Sequence, residues 1–150
     1  MKNKLTARVS ANINAPVSKV WEALTKPELI KQYLFGTDTI SGWKAGGPII
    51  FKGEWEGKPY MDKGTIIAIE PNKLFHYRYW SSMSGIEDKP ENYSNVTYEL
   101  SEDINDKSTA LTVTQDNIPD ETIKENAEQN WRIILGNLQR LLEKETIKPS

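Results

Sequence analysis

The chain has 150 residues, with 19 Lys plus Arg against 21 Asp plus Glu, a formal net charge of −2, no Cys and one His. This length suits one domain, and the balanced charge argues against nucleic acid or an anionic membrane as a partner. Without Cys there is no disulfide, thiolate nucleophile or Cys-ligated metal, and a lone His76 excludes a multi-His metal site. We therefore expect one domain over residues 1–150, with no metal and no cofactor.

The ends of the chain bear on its location. The first eight residues are positively charged, but no apolar run follows them, so they do not resemble a signal peptide. No segment approaches the roughly 20 apolar residues that span a bilayer. We expect a cytoplasmic protein. Its five Trp, six Tyr and three Phe must either fill a core or line a pocket.

The first predicted elements are a strand and two short helices. Residues 4–13 alternate between polar and apolar side chains, which is typical of a strand with one buried face. Apolar residues then recur at helical spacing from Val17 to Leu24 and predict an amphipathic helix. The segment Thr25–Glu28 fits a capping box that opens a second helix, through about Tyr33.

A succession of strands is predicted next, followed by one long helix. Residues 36–48 are Gly-rich and favour turns or a mobile loop. Alternation and turn signals then place strands at residues 49–55, 60–70, 74–80, 93–100 and 108–115. From about residue 120 to 145, apolar residues follow a helical stripe. The predicted order is one strand, two short helices, six strands, of which these signals locate five, and a long helix.

Several segments resemble one known family. Residues 15–28, APVSKVWEALTKPE, resemble the opening motif of the START-related superfamily, also called SRPBCC. The resemblance is closest to the AHSA1-like proteins, the homologues of an activator of a heat-shock chaperone ATPase. Residues 46–47 (GG), 71–74 (PNKL) and 109–115 (TALTVTQ) also fit, while residues 130–131 are Asn-Trp where the family commonly has Gly-Trp. This resemblance implies an α+β helix-grip fold, in which a curved antiparallel sheet wraps around a long C-terminal helix.

For function, the resemblance leaves three alternatives. Related domains bind lipids, sterols, hormones and polyketides, which implies a hydrophobic or amphipathic small-molecule ligand between the sheet and the C-terminal helix. A second alternative is a co-chaperone-like interaction domain whose partner is a heat-shock chaperone. The third is a cyclase or dehydratase, ranked last because nothing in the sequence selects a substrate. A monomer and a homodimer both remain open.

The candidate ligand-binding residues are apolar or aromatic and lie on the predicted inner faces, except for Trp43 on the Gly-rich loop. A filled core is the alternative interpretation, and Trp43 could be either a lid or a cap on that core. Buried phenols need hydrogen-bond partners, which a wet or ligand-filled cavity would provide. The candidates are Trp43, Phe51, Trp55, Ile66, Phe75, Tyr77, Tyr79, Tyr98, Trp131, Leu135 and Leu138.

The titratable residues predict no catalytic group. Strand alternation puts His76 on the solvent side if Phe75 faces inward, but the opposite register stays open. A cyclase would need a carboxylate inside the cavity. Asp38, Glu54 and Asp62 lie near predicted strand ends and turns. A solvated surface charge is the ordinary alternative for all three, and it is favoured for Glu54, which lies on the polar side of its strand.

Overall fold

Strands contribute more residues to this fold than helices do. The computed structural model describes residues 4–81, 87–105 and 107–146, which contain seven strands and three α-helices. The strands are β1 (Leu5–Ile13), β2 (Asp38–Ser41), β3 (Pro48–Trp55), β4 (Lys58–Glu70), β5 (Leu74–Trp80), β6 (Ser94–Asp103) and β7 (Ser108–Ile118). The helices are α1 (Val17–Thr25), α2 (Pro27–Tyr33) and α3 (Glu121–Thr146), and a 3₁₀ turn spans Pro90–Asn92.

All seven strands form one antiparallel sheet in the order β1-β7-β6-β5-β4-β3-β2. The first strand thus pairs with the last, and α3 packs mainly on β1 while α2 packs on β2. The predicted helix-grip fold and its element order are confirmed. The strand that the sequence did not locate is β2, the first one after the helices. It lies in the segment predicted to be turns, and its four residues are too few to show alternation.

The junction between α1 and α2 differs from the prediction. The Thr25 hydroxyl donates to the Trp21 carbonyl at 2.8 Å, so it does not cap the second helix. Pro27 instead begins α2, and it keeps Lys26 extended, at φ −113° and ψ 117°. The residue before a proline avoids the helical region, so the predicted capping box is wrong and proline sets the boundary.

One close approach between strands shapes the concave face of the sheet. A Cβ atom on Gly64 would lie 1.7 Å from the Arg78 carbonyl oxygen, so only glycine fits where β4 passes β5. The pairing of the same two strands shifts between Ile66 and Ala68, and Ile67 is left 43% exposed. Bulges of this kind increase strand twist and re-aim the flanking side chains. Inward-facing residues on either side of Gly64 form the site described next.

Candidate functional site: an apolar cavity with a polar end

Aromatic rings from four parts of the chain meet on the concave face. Phe75 stacks on Tyr98 with ring centroids 6.1 Å apart, and its centroid lies 5.2 Å from that of Tyr77 and 5.9 Å from that of Trp43. Trp131 of α3 completes the group, edge-on to Tyr98 at 5.9 Å. We call these five residues the aromatic cluster. Centroid separations of 4.5–7 Å are those at which aromatic pairs attract.

A small cavity lies between the aromatic cluster, the sheet and the two short helices. Its volume is about 30 Å³. That is room for about one water molecule, whereas drug-sized ligands occupy roughly 300–1,000 Å³. The lining residues are Leu24, Ile30, Tyr33, Leu34, Trp43, Ile49, Phe51, Phe75, Tyr77, Tyr98 and Trp131. The expected amphiphile-sized space between sheet and C-terminal helix is therefore not open in this conformation, because the aromatic rings fill it.

The predicted binding residues divide into three groups. Six of them line the cavity: Trp43, Phe51, Phe75, Tyr77, Tyr98 and Trp131. Four others do not line it. Three of these are buried in the core, namely Ile66, Leu135 and Leu138. The fourth is Tyr79, whose ring centroid lies 5.9 Å from that of Phe51. The side chain of Trp55 lies outside the part of the chain that the structure describes.

Five lining residues were not among the predicted ones: Leu24, Ile30, Tyr33, Leu34 and Ile49. Four of them belong to α1, α2 and the residue after α2. The apolar stripes of these helices were visible in the sequence. Their placement over the sheet was not, because it depends on tertiary packing and not on the local pattern.

The tyrosine hydroxyls around the cavity interact with groups within the protein. Tyr33 donates to the Ala23 carbonyl at 2.7 Å, and Tyr77 and Tyr98 lie close enough for each phenol to influence the ionisation of the other. Burial raises the pKa of all three phenols well above the ordinary value. Tyr33 therefore does not require a ligand or water as its partner, contrary to the argument made from the sequence.

A second part of the same face is polar. Alternation along β4 turns Asp62 inward, where its side chain is buried at 7% exposure, and the Tyr79 hydroxyl donates to its Oδ2 at 2.6 Å. Burial, followed by the negative charge of Asp62, raises the pKa of Tyr79. The surface interpretation is wrong for Asp62. It holds for Glu54, which is exposed, and for Asp38, whose Oδ1 lies 3.3 Å from the Lys31 ammonium.

Two threonines and a further tyrosine extend this polar region. The Tyr60 and Thr37 hydroxyls hydrogen-bond across Gly53, where a Cβ would lie 2.9 Å from the Tyr60 hydroxyl oxygen. Thr39 Oγ1 is buried and has no hydrogen-bond partner within the described structure. Thr37, Thr39, Tyr60, Asp62 and Tyr79 are called the polar end below. In the strand register Phe51 lies between Thr39 and Asp62, and it also lines the cavity, so the two regions adjoin.

His76 takes the solvent-side register. Phe75 and Tyr77 on either side of it are buried in the core, and the His76 Nε2 lies 2.8 Å from Asn95 Oδ1. Asn95 in turn donates to Asp116 through its side-chain nitrogen at 3.1 Å. This network lies on the opposite face of the sheet from the cavity. Within the described residues, no group of three or more His, Asp or Glu side chains is arranged to hold a metal ion.

Trp43 reaches the cavity from a loop with an unusual backbone. It is half-buried and adopts a positive φ of 57°, although it is not glycine. Its backbone N–H donates to Ser41 Oγ at 3.0 Å, and the loop is tied to β4 by Gly46 N–H to the Ile66 carbonyl at 2.7 Å. A left-handed backbone costs an ordinary residue about 1–2 kcal/mol and is found at ligand clamps and switches.

The sheet order and the covering helices define a helix-grip domain of the START/SRPBCC class. The family model described as "Activator of Hsp90 ATPase homolog 1-like protein" matches residues 14–143, and the chain belongs to this family. The resemblance drawn from the sequence is thereby confirmed. None of the described helices has the length and apolar character to cross a membrane.

Solved structures agree with this assignment. ChR145 from Cytophaga hutchinsonii is 43% identical with a TM-score of 0.84, over 99% of this chain and 100% of that one. MLL2253 from Mesorhizobium loti is 25% identical with a TM-score of 0.75, over 93% and 98%. PFC0360w, an Hsp90 activator from Plasmodium falciparum, shares the fold at 18% identity and a TM-score of 0.73, over 93% and 96%. A comparison with curated proteins finds no match.

Proposed function

We propose that this protein, a single cytoplasmic domain, binds a compact apolar small molecule about the size of one aromatic ring. The site is the apolar cavity between the sheet and α1–α2, and Trp43 is the gate that admits the ligand. The observation that supports the proposal is the placement of Trp43. Its side chain lines the cavity and yet is partly exposed on a loop. A ligand can therefore enter by displacing one loop side chain, without separating the sheet from α3.

Replacement of the Trp43 indole by a small guest molecule in the cavity is energetically favourable. Withdrawal of the Trp43 indole would add the volume of its rings to the existing cavity of about 30 Å³. Dry cavities of about 150 Å³ with aliphatic and aromatic walls bind benzene in proteins. Burial of the guest contributes about 25 cal/mol per Å² of apolar surface. Leaving the left-handed backbone conformation at Trp43 offsets part of the indole's lost contacts.

The test is a toluene titration of the Trp43→Ala variant and the wild type, followed by ¹H–¹⁵N NMR. We expect the variant to bind about tenfold or more tightly, because the wild type must first populate an open state of about 10% or less. The amide signals that shift should belong to residues around Phe75 and Tyr98.

A matched control is Trp80→Ala. Trp80 follows Tyr79 on β5 and faces the other side of the sheet, where its ring centroid lies 6.0 Å from the Lys63 ammonium. This variant should bind toluene with the wild-type affinity. If Trp43→Ala keeps the wild-type fold by NMR and still excludes toluene, the interior is closed to guests and the proposal is wrong.

A second candidate function is stimulation of an Hsp90-type chaperone ATPase. The family match and the small cavity favour it, because an interaction through the outer surface needs no internal guest. The discriminating assay is the ATP hydrolysis rate of purified Hsp90 with and without this protein. An increase that the Trp43→Ala variant reproduces would support an outer-surface role.

A further inference from the structure

The polar end of the concave face places a carboxylate among aromatic rings. Asp62 is held by the Tyr79 hydroxyl at 2.6 Å, and the Tyr79 ring packs edge-on against Phe51 at 5.9 Å. Tyr60 projects from the same side of β4, two residues before Asp62. A buried carboxylate loses its hydration, so groups that can replace that hydration are attracted to it.

The hydroxyl of Thr39 supplies a second, independent observation. It is 4% exposed and has no hydrogen-bond partner among the described atoms, although a buried hydroxyl without a partner normally costs about 1–3 kcal/mol. Such groups are uncommon in native proteins and mark places where a ligand or water completes the bonding. Thr39 and Asp62 flank Phe51 on the inner face, so both lie beside a wall of the apolar cavity.

We propose that the polar end anchors a positively charged amine on the bound ligand, with Asp62 as its counter-charge. This inference rests on the proposed function, since the apolar body of the ligand would occupy the cavity behind Phe51. The ligand class is a compact aromatic or aliphatic amine whose ammonium group is joined to the apolar body by a short linker. Thr39 offers a further hydrogen-bonding position on the opposite side of Phe51.

The chemistry of the polar end selects an ammonium group over other polar groups. Asp62 attracts a cation, and the faces of Phe51, Tyr60 and Tyr79 carry the negative quadrupole that favours cations in aromatic cages. An anionic group would be repelled by the carboxylate. A neutral alcohol can donate one hydrogen bond to the carboxylate, but it carries no charge to balance that of Asp62, so it would be held less well.

The experiment compares benzylamine, protonated at pH 7, with toluene, its neutral counterpart, by NMR titration of the wild type and of Asp62→Asn. We expect the wild type to prefer benzylamine by about tenfold, as for a charge-assisted hydrogen bond. Asp62→Asn should abolish that preference while leaving toluene affinity within about twofold, because the amide keeps the shape and loses the charge. Asp38→Asn, at an exposed carboxylate, is the matched control and should keep the preference.

The outcomes separate this inference from the proposed function. If toluene binds but benzylamine binds no better, or if folded Asp62→Asn keeps the preference, the amine assignment is wrong and the apolar site stands. If neither probe binds to the wild type or to Trp43→Ala, the proposed function fails and this inference fails with it. The wild-type comparison alone decides the matter if Asp62→Asn does not fold.

Discussion

The aromatic cluster and the polar end lie on the same face of the sheet and meet along β5, yet they differ in how their polar groups are bonded. In the aromatic cluster, Tyr77 and Tyr98 are buried close to each other, and the rings around them leave about 30 Å³ of space. Two residues further along β5, Tyr79 is bonded to a buried carboxylate, in a region where Thr39 has a buried hydroxyl without a described partner. Packing is close to complete in the first region, whereas the second contains a buried hydroxyl, that of Thr39, for which the described residues provide no hydrogen-bond partner.

The largest expected difference between the two regions is in stability. Phe75→Ala in the aromatic cluster should lower the free energy of unfolding by about 3–5 kcal/mol, since a large buried ring is lost and leaves a cavity. Tyr60→Phe at the polar end removes only the hydroxyl bond to Thr37 and should cost about 1 kcal/mol. Urea denaturation followed by circular dichroism measures both. Equal losses would mean that the aromatic cluster is not the more tightly packed region.

Alkaline pH should weaken the fold through the buried phenols. The pKa of Tyr33, Tyr77, Tyr79 and Tyr98 is raised in the folded state, chiefly by burial, so the unfolded chain loses these protons first. Their contribution is complete below about pH 10, the unfolded value, and is lost as the pH rises above it.

The size of this effect can be measured by urea unfolding between pH 9 and pH 11.5. Each buried tyrosine contributes a slope of up to about 1.4 kcal/mol per pH unit above pH 10. Tyr77→Phe removes one of these groups from the aromatic cluster and should make the decline shallower by that amount. A free energy of unfolding that stays constant up to pH 11 would contradict the burial of these phenols.

A smaller effect of opposite sign is expected for Thr39. Thr39→Val keeps the side-chain shape and removes a buried hydroxyl without a described partner, so the free energy of unfolding should be unchanged or rise by up to about 1 kcal/mol. Thr109→Val is the matched control, because Thr109 is equally buried but donates to the Ala15 carbonyl at 2.8 Å.

That control variant should be destabilised by about 1–2 kcal/mol, because it leaves the Ala15 carbonyl without its donor. Thermal melts of the two valine variants should therefore move in opposite directions relative to the wild type. A clear loss of stability in Thr39→Val would show that the Thr39 hydroxyl is hydrogen-bonded within the protein, and would contradict its proposed role in binding a ligand.

The aromatic cluster was largely predictable from the sequence, whereas only Tyr79 of the polar end was among the predicted residues. Alternation around His76 indicated that Phe75 and Tyr77 face inward, because apolar and aromatic side chains repeat with the strand period. The inward side of β4 includes Tyr60, Asp62 and Gly64, a polar set that resembles a solvent-facing one. The sequence does not show that Asp62 is buried in the folded protein, whereas Tyr60 and Gly64 are half-buried.

The volume of the cavity could not be predicted either. Residue types identify which side chains face inward, but the remaining space depends on how far the rings of Trp43 and Phe75 interlock and on where α1 and α2 lie. A difference in cavity volume equal to one aromatic ring is enough to distinguish a filled core from a binding site. The family resemblance predicted the fold, which the relatives share, and it left the size of the cavity open.

The most direct test of an apolar site gated by Trp43 is an NMR titration of the wild-type protein, labelled with ¹⁵N at the tryptophan indoles, with toluene. The account predicts that the indole signals of Trp43 and Trp131, both cavity-lining, shift in a saturable manner while that of Trp80 does not move. The Trp131 indole, which donates to Gln115 Oε1 at 2.9 Å, reports from the far wall of the cavity. Saturating toluene that leaves the Trp43 and Trp131 signals unchanged would contradict the account.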